Sequence, residues 1–130
     1  VKYWPIHYIV CDEAQFYTPE QCDQLARVVD ELDVDGYAFG LLTDYRGRRF
    51  EGTQRMLEIA AEHTPLQVVE RCWCGARATH NARIVNGDVV YEGDTVVVGD
   101  TNANEAPLFG DSVRYELLCR AHFRTGDLGA

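Results

Sequence analysis

Positive charge is scarce in this chain. Twelve Lys and Arg stand against 21 Asp and Glu in 130 residues, a formal net charge of −9. A pI near 4.8 argues against a nucleic-acid binder, because neutralising a phosphate backbone needs a positive face. No run of about 18 apolar residues exists, which excludes a bilayer-spanning helix and any membrane partner of that kind. Val1 to Val10 lack the charged start, long apolar stretch and small-residue cleavage site of a signal peptide. The chain does not open on Met, either, and VKYWPIHYIVC reads as beginning in mid-protein, just before a strand. None of the 11 glycines is followed by Lys, so the phosphate-cradling pattern G-x-x-x-x-G-K-[ST] is absent. Internal repeats and low-complexity tracts are absent too. A disulfide framework is also missing: Cys11, Cys22, Cys72, Cys74 and Cys119 are odd in number, and two of them are one residue apart. A reducing, cytoplasmic compartment is expected.

What is present suffices for one small folded chain, since 46% of the residues are hydrophobic. His7 to Cys11 is an apolar run that reads as a buried strand. Thr18-Pro19-Glu20-Gln21 is a helix start: an N-cap, Pro at the first helical position, and Gln placed to close a capping box. Cys22, Leu25, Ala26, Val29 and Leu32 continue at helical spacing, so a helix is expected from Pro19 to Leu32, with Asp33 to Gly36 as the turn. Tyr37 to Leu42 is a second strand candidate, Gln54 to Glu62 a second helix, and Leu66 to Val69 a third strand. That order implies right-handed βαβ units and a parallel sheet over residues 1–70.

The composition changes after Arg71. Ala78 to Val85, an Asn86-Gly87 turn and Val89 to Tyr91 form the strongest hairpin signal in the chain. Thr95 to Val98 and Val113 to Leu118 are further strands, separated by a polar loop over Asp100 to Asp111. Residues 71–124 thus read as a small β-rich appendage, followed by a tail over 125–130. Within it, Cys72 and Cys74 at one end and Cys119 and His122 at the other make two ligand pairs, each on a local turn. Three thiols and an imidazole suit tetrahedral zinc in a structural site, with no position left open for water. Such an ion ties distant segments together, where a core this small gains most. Ordinary buried thiols with His122 capping a helix is the competing assignment. Cys11 and Cys22 fall on apolar faces and are assigned to the core.

Asp12-Glu13 ends an apolar strand, where ligands of open α/β sheets bind. The arrangement is that of a Walker B carboxylate holding Mg²⁺, with the next residue placed to take a proton from an attacking hydroxyl. Acidic residues at strand ends are common, and the pair alone does not establish catalysis.

The surrounding residues add to this. CDEAQFY at 11–17 closely resembles the D-E-[AG]-Q-F-[FY] motif of the type II thymidine kinases, the cellular and bacterial enzymes. LLTDYRGRRFEGTQ at 41–54 resembles their L-x-T-D-F-R-G-x-x-F-x-G-S-Q stretch, and CWCG, VVVGD, RYELLC and CRAH recur in the family's order. The resemblance runs from Tyr8 to Phe123. It implies a P-loop-kinase-like (RecA-like) α/β part with a parallel sheet, followed by a zinc-ribbon-like domain. It also implies ATP-dependent phosphorylation of the thymidine 5′-hydroxyl, with Mg²⁺ accompanying ATP and structural zinc on Cys72, Cys74, Cys119 and His122.

Residue by residue, Asp12 matches the Mg²⁺-associated carboxylate and Glu13 the general base. Asp12, Glu13, Ala14 and Gln15 match a segment used at the nucleotide phosphates. Phe16, Leu41, Tyr45 and Phe50 match members of the thymine pocket. Thr95, Val96, Val97, Val98 and Gly99, with Tyr115, match a lasso that closes on thymine largely through backbone groups. Each aromatic has core packing as its alternative, and Tyr115 could face a sheet neighbour. Arg46, Arg48 and Arg49 are either phosphate contacts or a solvated face. The resemblance further implies a homo-tetramer, feedback by dTTP, and a bacterial source of high GC content.

Two departures accompany it. Asp100 stands where a second glycine is usual, and the loop to Asp111 is longer than the family's short link. The phosphate loop, which the family carries upstream on the first strand, has no counterpart in these residues. The chain therefore reads as a C-terminal portion, inactive without that loop. A non-catalytic, zinc-stapled assembly module is the alternative reading.

Overall fold

The first strand, β1, covers Tyr8–Cys11 and pairs in parallel with β2, Asp35–Ala38, in the register Tyr8↔Asp35 to Cys11↔Ala38. These elements belong to a computed structural model that describes residues 5–66, 69–94 and 112–129. Helix α1, Pro19–Leu32, connects the two strands and makes a βαβ unit. Its start is the expected capping box: Thr18 Oγ1 accepts from the Gln21 N–H at 3.2 Å, and Gln21 Oε1 accepts from the Thr18 N–H at 2.9 Å. Asp33 ends the helix in a left-handed conformation, φ 52°. Gly36 then lets β2 approach α1, since a Cβ there would lie 2.8 Å from Val29 Cγ2.

Three expectations for this half are corrected. The second strand is Asp35–Ala38 rather than Tyr37 to Leu42. The Phe39 N–H still bonds Cys11 O of β1 at 2.8 Å. From there the chain turns to the loop after β1 instead of extending the ladder: the Ala14 N–H donates to Phe39 O at 2.9 Å, and the Leu41 N–H to Gln15 Oε1 at 3.2 Å. Helix α2 is Glu51–Ile59 rather than Gln54 to Glu62, because Phe50 is the extended N-cap and Ala60 is already extended. Leu66 and Val69, the described ends of the expected third strand, are in no ladder and stand 63% and 80% exposed. An apolar run becomes a strand only where a sheet edge takes its amides, and the described sheet pairs β1 with β2 alone. The parallel sheet therefore has two strands among the described residues, not three.

The chain divides into two units, Val1–Leu42 with Arg49–Leu66, and Thr43–Arg48 with Gln67–Ala130. The sequence-based division was a single cut after residue 70; here the turn Thr43–Arg48 goes with the second unit. In the first unit, α2 packs on α1 and, through Gly52, on the turn after β1, where no room is left for a side chain: a Cβ would lie 2.5 Å from Tyr17 O and 2.7 Å from Ala14 O. Cys22 is fully buried there, its Sγ directed at Gly52 O.

The second unit is built on a three-stranded antiparallel sheet in the order β4-β3-β5, with β3 His80–Val85, β4 Asp88–Val90 and β5 Val113–Leu118. The Asn86-Gly87 turn has both residues at positive φ, 53° and 94°, as a two-residue hairpin with right-handed twist requires. Expected strand Thr95 to Val98 and loop Asp100 to Asp111 lie outside the described residues. A short helix, α3, covers Arg120–Thr125, with Cys119 as its N-cap and His122 inside it rather than capping it. The core beneath the sheet is Cys72, Ala82, Leu118, Cys119 and Phe123, flanked by Val89 and Leu128, so part of the supposed tail belongs to the fold. All five cysteines are free thiols. No described helix is long and apolar enough to cross a membrane.

Candidate functional site

Two constellations stand out, one in each unit. In the second, Cys72, Cys74, Cys119 and His122 place one ligand atom each within 4.8 Å of one another. Cys72 and Cys74 lie on a tight turn: the Gly75 N–H donates to Cys72 O at 2.8 Å, and Gly75 adopts φ 84°. Cys119 is the N-cap of α3, and His122 lies one turn into that helix. His122 Nδ1 is 3.3 Å from Cys72 Sγ and 3.6 Å from Cys119 Sγ. A tetrahedral zinc with Zn–S near 2.3 Å needs ligand atoms about 3.8 Å apart, so this donor set fits the ion with small adjustment.

The electrostatics agree with a thiolate-bearing site. Burial alone would raise the Cys72 thiol. The backbone amides of Cys119 and Cys74, with His122 and the Cys74 thiol, outweigh it and lower Cys72 to about 6. For Cys74 the Ala76 amide pulls down, but burial and the neighbouring sulfurs of Cys72 and Cys119 win, and its thiol is raised. Adjacent thiols resist ionising together, and a cation removes that conflict.

In the first unit, Asp12 and Glu13 follow β1 and are exposed. Glu13 is left-handed, φ 51°, an uncommon conformation for a residue with a side chain. The Asp12 Oδ1 accepts its N–H at 2.9 Å, and the Glu13 carboxylate accepts a hydrogen bond from Gln15 Nε2. Gln15 is 3% exposed, and its Oε1 takes the Leu41 N–H, so the amide links the carboxylate to the segment after β2. Gly40 makes room for it, because a Cβ there would lie 2.6 Å from Gln15 Oε1. Ala14 is buried and bonded to Phe39.

Phe16 is 53% exposed and meets Phe50 edge to face, with ring centroids 5.6 Å apart. Leu41 is half-exposed, and its carbonyl accepts from Thr53 Oγ1 at 2.6 Å. The first unit thus brings Glu13, Gln15 and Leu41 into one hydrogen-bonded chain and pairs Phe16 with Phe50.

The remaining expected substrate residues belong to the second unit. Tyr45 is 6% exposed, and the Arg83 guanidinium carbon lies 5.5 Å from its ring centroid. Tyr115 is half-exposed on β5, opposite Arg83 in the register, so the two side chains share a sheet face. Thr95, Val96, Val97, Val98 and Gly99 lie outside the described residues. Of the three arginines, Arg46 is bound to the buried Asp44 at 2.7 Å and Arg48 pairs loosely with Glu92, while Arg49 is exposed.

Sequence reading passed over Asp44 as a structural residue. Its carboxylate accepts from the N–H groups of Arg46 and Arg48 and from the Arg46 guanidinium, which closes the turn that carries Tyr45. An Asp followed by Arg-Gly two residues on was the available signal, a side chain able to cap its own turn. Trp73, stacked on His122, and Asp127, bonded to the Trp73 indole, were missed as well, although Trp73 stands between Cys72 and Cys74.

A family model described as thymidine kinase matches residues 2–123. The chain is 56% identical over 119 residues to a thymidine kinase of Streptomyces avermitilis, covering 92% of this chain and 53% of that protein. It is 52% identical over 124 residues to one of Cutibacterium acnes, covering 95% of this chain and 55% of that protein. A Legionella pneumophila thymidine kinase is 39% identical over 122 residues, 93% of this chain and 52% of its own length. The chain thus spans about half the length of the curated relatives it matches. With residues 2–123 matched, and with Asp12, Glu13 and the four-ligand cluster placed as described, this chain belongs to the thymidine kinase family.

Proposed function

We propose that these residues carry the nucleoside-side chemistry and the structural zinc of an enzyme that transfers the γ-phosphoryl group of ATP to the 5′-hydroxyl of thymidine. The observation that supports this most is the bracing of Glu13: a carboxylate at the end of β1, held by Gln15, which is itself held by the Leu41 N–H. A general base must be presented in a fixed place to take a proton from a weak hydroxyl nucleophile.

In the step itself the 5′-O–H bond breaks and its proton passes to Glu13. The oxygen forms a bond to the γ-phosphorus, and the bond from phosphorus to the bridging oxygen breaks, leaving ADP. Phe16, Leu41 and Phe50 offer the flat, apolar surface a thymine ring needs. Tyr45, Tyr115 and the segment Thr95–Gly99 are proposed contacts by the same resemblance. Asp12 is the residue that would associate with Mg²⁺, which neutralises phosphate charge when bound with ATP. Cys72, Cys74, Cys119 and His122 would hold zinc as a staple without a chemical step. The β- and γ-phosphates need a glycine-rich nest and its lysine, which these 130 residues do not contain, so activity requires a longer polypeptide supplying them. A cytoplasmic homo-tetramer subject to dTTP feedback remains part of the proposal.

Thermal unfolding of that longer, zinc-loaded polypeptide with increasing thymidine tests the reading. Stabilisation that grows with the logarithm of thymidine concentration, and is absent with cytidine, is expected of a formed pocket. No shift with either nucleoside would favour the zinc-stapled assembly module.

A further inference from the structure

The His122 ring faces two cluster sulfurs on one side and is held on two others by residues that contribute no ligand, Asp127 and Trp73. Nδ1 faces the sulfurs of Cys72 and Cys119, at 3.3 Å and 3.6 Å. Nε2 points the other way, 4.0 Å from Asp127 Oδ2. The Trp73 indole stacks on the imidazole with centroids 4.4 Å apart and planes at 15°.

Asp127 is fixed through every other polar group it has. Its N–H donates to His122 O at 3.1 Å, its carbonyl accepts from Trp73 Nε1 at 3.1 Å, and its Oδ1 accepts from the Gly129 N–H at 3.0 Å. Gly129 in turn lies against the indole, with φ 78° and room for no side chain, since a Cβ would sit 3.0 Å from Trp73 Cδ2. One acceptor remains uncommitted in this arrangement, Oδ2, and it is the one that faces His122.

We propose that Trp73 and Asp127 are positioning residues for the metal centre: they select the His122 tautomer that carries its proton on Nε2 and leaves the Nδ1 lone pair for the ion. The proposal rests on the zinc reading above. A neutral imidazole that binds metal through one nitrogen must place its N–H on the other, and that N–H needs an acceptor. Asp127 supplies it across a span that a small ring rotation or one bridging water closes. The stacked indole removes the ring's freedom to turn away. The last residues of the fold, Gly126 to Gly129, therefore serve the centre through the tryptophan lying between its first two ligands.

The test compares the zinc-loaded wild-type chain with Asp127→Ala, Asp127→Asn and Trp73→Phe. Two quantities are read: zinc affinity by competition with a chromophoric chelator, and the His122 ring nitrogens by two-bond ¹H–¹⁵N correlation. The wild type is expected to bind one zinc and to show a protonated Nε2 and a metal-bound Nδ1. Asp127→Ala should weaken zinc binding about 10–100-fold and shift or broaden the Nε2–H signal. Asp127→Asn keeps an acceptor oxygen and should fall between. Trp73→Phe keeps the stack but loses the bond to the Asp127 carbonyl, and should act in the same direction, more weakly. Zinc affinity and Nε2–H signal both unchanged in all three variants, with only thermal stability lowered, would overturn the proposal and leave the zinc site standing. A wild-type chain that binds no zinc would overturn the zinc reading itself, and this proposal with it.

Discussion

Glu13 owes its placement to Gln15, whose amide spans from the carboxylate to the Leu41 N–H while buried among backbone. Replacing it by Leu keeps the volume but removes both bonds, leaving the Leu41 N–H without its acceptor. We expect Gln15→Leu to cost roughly 1–3 kcal/mol by the usual penalty for an unsatisfied buried group, read from urea unfolding. In the longer polypeptide of the proposed function it should lower kcat more than it raises the KM for thymidine, because the proposed base loses its brace while the aromatic pair stays. At this scale the motif DEAQF was legible as a chain of residue types, but the division of labour within it was not. A sequence shows that Gln15 follows Glu13 by two positions; only the left-handed backbone at Glu13, φ 51°, folds the amide back onto the carboxylate.

The elements show where local signals suffice. Thr18, Pro19 and Gln21 specify the start of α1 without outside help, and the capping box formed as the spacing required. The hairpin turn at Asn86-Gly87 was legible for the same reason. Strand β2 was misplaced because its extent is set by partners: apolar Phe39 and Leu41 look like strand, yet the Phe39 carbonyl and the Leu41 N–H are taken by the loop after β1. Helix α2 depends on a similarly tight place, and Gly52→Ala should destabilise the first unit by about 1–3 kcal/mol, the usual cost of overpacking, since its neighbours are backbone carbonyls that cannot turn aside.

On β3, His80 stacks against Phe123 at 4.2 Å, and burial, then Arg120, lowers its pKa. A lowered value means that the unfolded chain takes up the proton first as pH falls. Stability of the second unit should therefore drop as pH falls below about 6.5, the ordinary value for His. The urea midpoint measured between pH 7.5 and 5.5 should fall less steeply in His80→Phe than in the wild type. Equal slopes would show that His80 does not titrate as described.

At the scale of the molecule, the two units differ in how far each buries its own apolar residues. The second has a sheet, a helix and a continuous core under it. The first leaves Tyr8, Val10 and Tyr37 exposed on a two-stranded sheet, and two strands alone are marginal in water. That matches a chain spanning about half the length of its relatives. Among the described residues Leu66 and Val69 join no ladder: sequence pattern reports that they are apolar, not which sheet edge would receive them. That Cys72, Cys74, Cys119 and His122 come together was legible, because two pairs on local turns carry their own spacing, whereas the residues packed around His122 are assembled by the fold.

The measurement that tests the account most directly is the turnover of Glu13→Gln in the polypeptide that joins these residues to a phosphate-binding loop. Thymidine binding is measured alongside it. The substitution keeps the shape and removes the basic oxygen. The account predicts a kcat lower by about 10²–10⁴-fold, the usual contribution of a positioned base, with thymidine affinity nearly unchanged. Turnover close to that of the wild type would contradict it and remove Glu13 as the group that takes the proton.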